Sequence, residues 1–63
     1  MALHQERVIV EKRELDEKLA KLISFLGGPV FTGLDIFEQV RLSQQTKIME
    51  VYSNILAERI RAF

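Results

Sequence analysis

The chain has no cysteine and no tryptophan, and only one proline, one histidine and three glycines among its 63 residues. Without cysteine there is no disulfide and no thiolate metal site, and a single histidine cannot complete a structural zinc site. Net charge is missing too: nine Lys and Arg balance nine Asp and Glu. That speaks against broad, charge-driven binding to DNA or RNA polymers, while leaving room for a local pocket of a few cations. No apolar run approaches the roughly 20 residues of a membrane span. Charged residues within the first seven positions argue against a signal peptide, so the expectation is a cytoplasmic protein. A chain this short forms one domain, residues 1–63, whose own core is marginal, which makes self-association the default.

What is present is helix-forming sequence cut once. Gly27-Gly28-Pro29 interrupts it. Either glycine can take a left-handed conformation that closes a helix, and Pro29 cannot continue one. Before the break, Val8, Leu15, Leu19, Leu22 and Leu26 recur at helical spacing, and Glu14–Lys18 and Glu17–Lys21 are i,i+4 pairs in the favourable order. The charged run from Glu11 to Lys21 reads as the solvated face. The spacing predicts a helix over about 3–26, a turn over 27–34 that contains apolar Val30 and Phe31, and a second helix over about 35–62. Thr32 and Asp35 each read as an N-cap with an acid three residues on, so the second helix starts between Gly33 and Ile36. The fold class is all-α, an antiparallel helical hairpin.

At about 100° per residue, the apolar positions of the second arm fill an arc of roughly 200°, about twice what one partner helix covers. Val40, Leu42, Ile48, Met49, Val51, Ile55, Leu56 and Ile60 spread across it, with Ser43, Thr46, Lys47, Glu50, Asn54 and Arg61 opposite. The surplus predicts a dimer or larger assembly. Arg41, Gln45, Tyr52 and Arg59 lie inside the arc, where charge is costly unless paired or bound to something. Arg41 has an ion pair with another helix as its plain explanation, and Tyr52 a place in the core. His4 as a frayed end and Lys12 as a side chain reaching past its neighbours to water are the plain readings of those two. Pairing Leu26 with Phe37 places Lys12 near Tyr52 and His4 near Arg59. His4, Arg7, Lys12, Tyr52 and Arg59 then converge at the open end, an aromatic face with cations that suits a nucleobase and phosphates.

Three classes of function are in play: a nucleotide-binding protein, a structural or protein-binding helical oligomer, and an enzyme. The enzyme ranks last, because no Ser or Cys pairs with His in any recognisable pattern and Gly27-Gly28-Pro29 lacks the Lys-Ser/Thr of a phosphate loop.

His4-Gln5-Glu6-Arg7-Val8, Glu11-Lys12, Glu14-Leu15, Lys18-Leu19 and the segment Tyr52-Ser53-Asn54-Ile55-Leu56-Ala57-Glu58-Arg59-Ile60 with Phe63 resemble very short phage proteins. They are similar to the helical-hairpin domain shared by the anti-CBASS and anti-Thoeris signal sponges. The resemblance spans nearly all of residues 4–63. It implies a protein that binds nucleotide messengers of bacterial immunity inside the infected host and withholds them from effectors without cleaving them, with no cofactor and no metal. It implies assembly as dimers or hexamers with pockets between subunits. Its ligands would be cyclic dinucleotides, cyclic trinucleotides or cyclised ADP-ribose derivatives. The family's phosphate-contacting Arg falls on Arg59 and its first-helix Lys on Lys12, and Tyr52 is the nearest replacement for the stacking aromatic of larger members.

Overall fold

In the computed structural model, which describes residues 2–63, two long helices lie antiparallel, joined by one short helical turn. Met1, the first residue of the expected domain, lies outside the described residues. Helix α1 spans Leu3–Leu26, α2 spans Pro29–Thr32 and α3 spans Ile36–Arg61. The result is a rod of 46 × 14 × 13 Å.

The ends of the helices follow from local chemistry. Gln5 Oε1 accepts from the Ala2 amide at 3.1 Å and satisfies one donor before α1 begins. The other end of α1 departs from the expected left-handed glycine. Gly27 keeps a right-handed helical backbone, φ −85° and ψ −2°, and Gly28 is extended, φ −99° and ψ 170°. The stop therefore comes from Pro29, which pushes the preceding residue out of the helical region and then opens α2 as its first residue. Asp35 is the N-cap of α3, its carboxylate accepting from the Phe37 amide at 3.0 Å. Gln39 donates to the carbonyls of Leu34, at 3.0 Å, and Thr32, at 3.3 Å, so a side chain of α3 satisfies the end of α2. Phe31 meets Phe25 edge to face, ring centres 6.4 Å apart, and closes that end of the hairpin. Val30 stays exposed.

The face that α3 turns to α1 differs from the one its apolar content suggests. Gln39, Leu42, Thr46, Met49, Ser53, Leu56 and Ile60, spaced alternately by three and four, are buried or half-buried and line it, with Glu38 and Ala57 half-buried as well. Thr46, expected on the solvent side, is buried, its hydroxyl donating to the Leu42 carbonyl at 2.9 Å. Ser53 is buried as well, and Leu56 is fully enclosed at 0% exposure. The α1 seam runs as its spacing predicts, with Val8 buried and Leu15, Leu19, Leu22 and Leu26 half-buried. Ile48 and Phe37 are left at 67% and 68% exposure, on the far side of α3 with Val40, Val51 and Ile55.

Candidate functional site

One polar cluster bridges the two long helices. Lys12 Nζ donates to Asp16 Oδ2 at 2.7 Å and to Ser53 Oγ at 3.0 Å, and Ser53 Oγ donates in turn to Asp16 Oδ1. Each group satisfies the others. The Lys12 ammonium and the Ser53 hydroxyl, both bonding its carboxylate, hold Asp16 below the usual carboxylate range. A serine beside a lysine invites comparison with a nucleophile and its base. Here the hydroxyl proton is directed at Asp16 while the ammonium donates to the hydroxyl oxygen, which is the reverse of proton abstraction.

The cluster also fixes the register. Lys12 sits level with Ser53 rather than Tyr52. The expected pairing is thus displaced along α3, and one residue of displacement turns the helix by about 100°. Tyr52, expected to face Lys12, is 41% exposed. The Thr46/Ser53 seam goes with this register: Ser53 bonds Lys12 and Asp16 across the hairpin, Thr46 bonds the Leu42 carbonyl of its own helix, and a buried hydroxyl with a partner costs little.

This geometry disperses the five residues singled out by sequence. Lys12 is committed to Asp16 and Ser53. Arg7 is five residues from Lys12, about 140° round α1, so the two point to different flanks. His4 and Arg7 are exposed near the open end, where the Lys12–Ser53 register brings Arg59, also exposed, level with Glu6 and Arg7. Arg41, absent from that group, pairs with Glu38 of its own helix at 2.8 Å instead of with another helix.

The grooves of the single hairpin are poor places for phosphate. One, of about 480 Å³, sets Lys12 and Arg13 against Asp16 and Glu17, with Ile9, Ala20 and Ile60. The other, of about 420 Å³, surrounds Arg7 with Glu6, Glu11 and Glu14, so an anion entering it meets three carboxylates and one guanidinium. Two exposed guanidinium groups lie instead on α3 beside an aromatic ring, Arg59 and Arg41, the latter with its Nε bonded to Glu38. Arg41, Gln45, Ile48, Tyr52, Ile55 and Arg59 follow one another at spacings of four and three and are all exposed. They form a second row about 110° round the helix from the α1-facing seam. Sequence reasoning found these residues but assigned the row to the inside of the hairpin. Both rows run at helical spacing, so no local signal separates them; Lys12 meeting Ser53 across the hairpin marks the inward one.

Among the described residues no group of His, Asp and Glu is arranged to hold a metal ion, and no helix is long and apolar enough to cross a membrane. Comparison with curated proteins gives no match, and comparison with solved structures gives none. The Sequestin family model matches residues 2–62. That match fits the resemblance to phage nucleotide-sequestering sponges, and its span is nearly that of the hairpin itself: the chain belongs to the Sequestin family.

Proposed function

We propose that this protein is a sponge of phage origin. It binds a cyclic oligonucleotide or cyclised ADP-ribose messenger of bacterial defence and withholds it without cleavage, in the cytoplasm of the infected host. The observation that carries this reading is membership, over residues 2–62, of a family named for sequestration. The exposed row of α3 supports it, since it combines guanidinium groups with an aromatic ring among apolar side chains, the chemistry that phosphate and base require. Arg59 is the principal phosphate contact, Tyr52 offers a stacking face, and His4 and Arg7 flank Arg59 at the open end. Lys12 reaches a ligand only by leaving Asp16. Assembly into dimers or hexamers is part of the reading.

A panel of nucleotide messengers screened by thermal shift tests it. A ligand at 100 times its dissociation constant adds about 2.7 kcal/mol of stability. Ligand released by heat must be chemically intact, and linearised or hydrolysed product would make the protein an enzyme. A second reading, a structural or protein-binding helical oligomer, draws on the exposed apolar side chains of α3, which a protein partner alone would explain. A complete absence of thermal shift across the panel would favour it.

A further inference from the structure

Lys12 and Ser53 hold an anion that belongs to the protein itself. Lys12 Nζ donates to Asp16 Oδ2 at 2.7 Å and Ser53 Oγ donates to Asp16 Oδ1. An ammonium and a hydroxyl, one from each long helix, thus grip both oxygens of one carboxylate. A third bond, from Lys12 Nζ to Ser53 Oγ at 3.0 Å, ties the two donors together. Phosphate is bound by the same donor types, through a pair of oxygens in the same way.

The three groups differ in how firmly the fold holds them. Ser53 is buried, the Lys12 side chain is 27% exposed and the Asp16 side chain 44%. The donors are built into the helix interface, and the acceptor stands at its edge with room to turn into water. Asp16 also lines the groove of about 480 Å³ bordered by Lys12, Arg13, Ile9 and Ile60. A groove of this size takes a phosphate and the group attached to it. Without the Asp16 carboxylate, Lys12 and Arg13 face only Glu17 there, and the groove changes from neutral to positive.

We infer that Asp16 is a resident anion: its carboxylate fills a phosphate site made by Lys12, Ser53 and Arg13, and a ligand enters only by displacing it. This deepens the sequestration reading and rests on it. Displacement selects for charge density. A single phosphodiester carries one negative charge, which Asp16 already supplies without the entropy loss of association. A pyrophosphate group carries at least two on adjacent phosphorus atoms and outcompetes it. The site therefore favours a messenger with adjoining phosphates, such as a cyclised ADP-ribose, over one whose phosphates are separated by sugars.

Titration calorimetry with inorganic pyrophosphate tests this. Asp16→Asn keeps an oxygen for Ser53 and removes the competing charge, so it should bind pyrophosphate roughly tenfold or more tightly than the wild type. Glu17→Gln removes an equal charge from the same groove without vacating the site and should leave affinity nearly unchanged. Adding Lys12→Gln to Asp16→Asn should abolish the gain, which pyrophosphate bound at Arg59 would not feel. A purely structural Asp16 gives the opposite sign: its loss loosens the hairpin and leaves binding weaker or unchanged, and either result overturns the inference. So does an equal gain in Glu17→Gln. Should Asp16→Asn fail to fold, the wild type decides. Pyrophosphate at millimolar concentration should then shift the Asp16 carboxyl carbon resonance, and a resonance that stays in place refutes displacement. The two readings fail separately: a pyrophosphate gain in Asp16→Asn beside an empty messenger panel keeps the site and removes the sponge, and a messenger that binds beside no such gain does the reverse.

Discussion

Two faces of α3 divide the work of the chain, and their compositions run against intuition. The face turned to α1 carries Gln39, Thr46 and Ser53 along with its aliphatic residues, while the face turned away carries Phe37, Ile48 and Ile55. Apolar content alone would choose the second as the core. The first is the inward one in a hairpin where its hydroxyls are answered, Thr46 by the Leu42 carbonyl and Ser53 by Lys12 and Asp16. A buried hydroxyl with a partner costs little. The outward face is costly to leave wet, yet it contains the arginines that an enclosed core would not tolerate.

Mutations separate the two faces. The largest effect belongs to the inward one. Leu56→Ala empties the one fully enclosed position and should cost about 2–5 kcal/mol. For so small a chain that means loss of helical circular dichroism at room temperature, or a melting midpoint lowered by well over ten degrees. Binding would be lost with the fold. Arg59→Lys breaks the outward face alone. Loss of a charged hydrogen-bond partner costs about 1.5–3 kcal/mol, and a point charge replaces the fork only in part. Titration calorimetry should show roughly ten- to a hundredfold weaker messenger binding for Arg59→Ala and a smaller loss for Arg59→Lys, with an unchanged melting curve and sedimentation profile. A broken assembly would make Arg59 structural, and unchanged affinity would remove it from the site.

Asp16→Asn loosens the bridge that sets which face is inward. Because Asp16 is held below its ordinary value of 3.8, its contribution is fully present above that value and is lost as pH falls through the lower value of the folded protein. The wild type should therefore lose stability on acidification below pH 3.8 more steeply than Asp16→Asn, as melting midpoints between pH 2 and 6 would show. The gap should be modest, since both Lys12 and Asp16 are part-exposed and screened. The smallest effect spares both faces. Gly27 has a backbone open to any residue, and an added methyl carbon would meet the Ser24 carbonyl at an ordinary 3.7 Å. Gly27→Ala should raise stability by about 0.4–1 kcal/mol and leave binding as it was. A clear destabilisation would mean that the turn needs its glycine after all.

How much of this was legible in the sequence differs by level. The helical hairpin was, because the leucine spacing of α1 and the Gly-Gly-Pro break are local signals. So was the surplus of apolar surface on α3. The rotation of α3 was not, because it depends on side chains 41 residues apart, Lys12 and Ser53, meeting across the hairpin. Thr46 and Ser53 look like solvent residues until their partners are seen. The same rotation explains the candidate site. Tyr52 and Arg59 were recognised by residue type and placed within a residue or two of their height along the rod, yet on the wrong side of the helix. Arg41 was set aside because an ion pair with another helix seemed sufficient, whereas its partner, Glu38, is on its own helix and leaves the rest of the guanidinium exposed.

The rod itself has a hydrodynamic consequence. At 46 Å long and about 14 Å wide, the hairpin tumbles end over end much more slowly than it spins about its axis. Copies joined flank to flank thicken this particle and leave its length unchanged, so its rotation becomes more nearly isotropic as it grows. Copies joined tip to tip would lengthen it and exaggerate the difference. Mode of assembly is therefore written into rotational diffusion and low-angle scattering, where the longest dimension should remain near that of one hairpin while the scattering mass doubles.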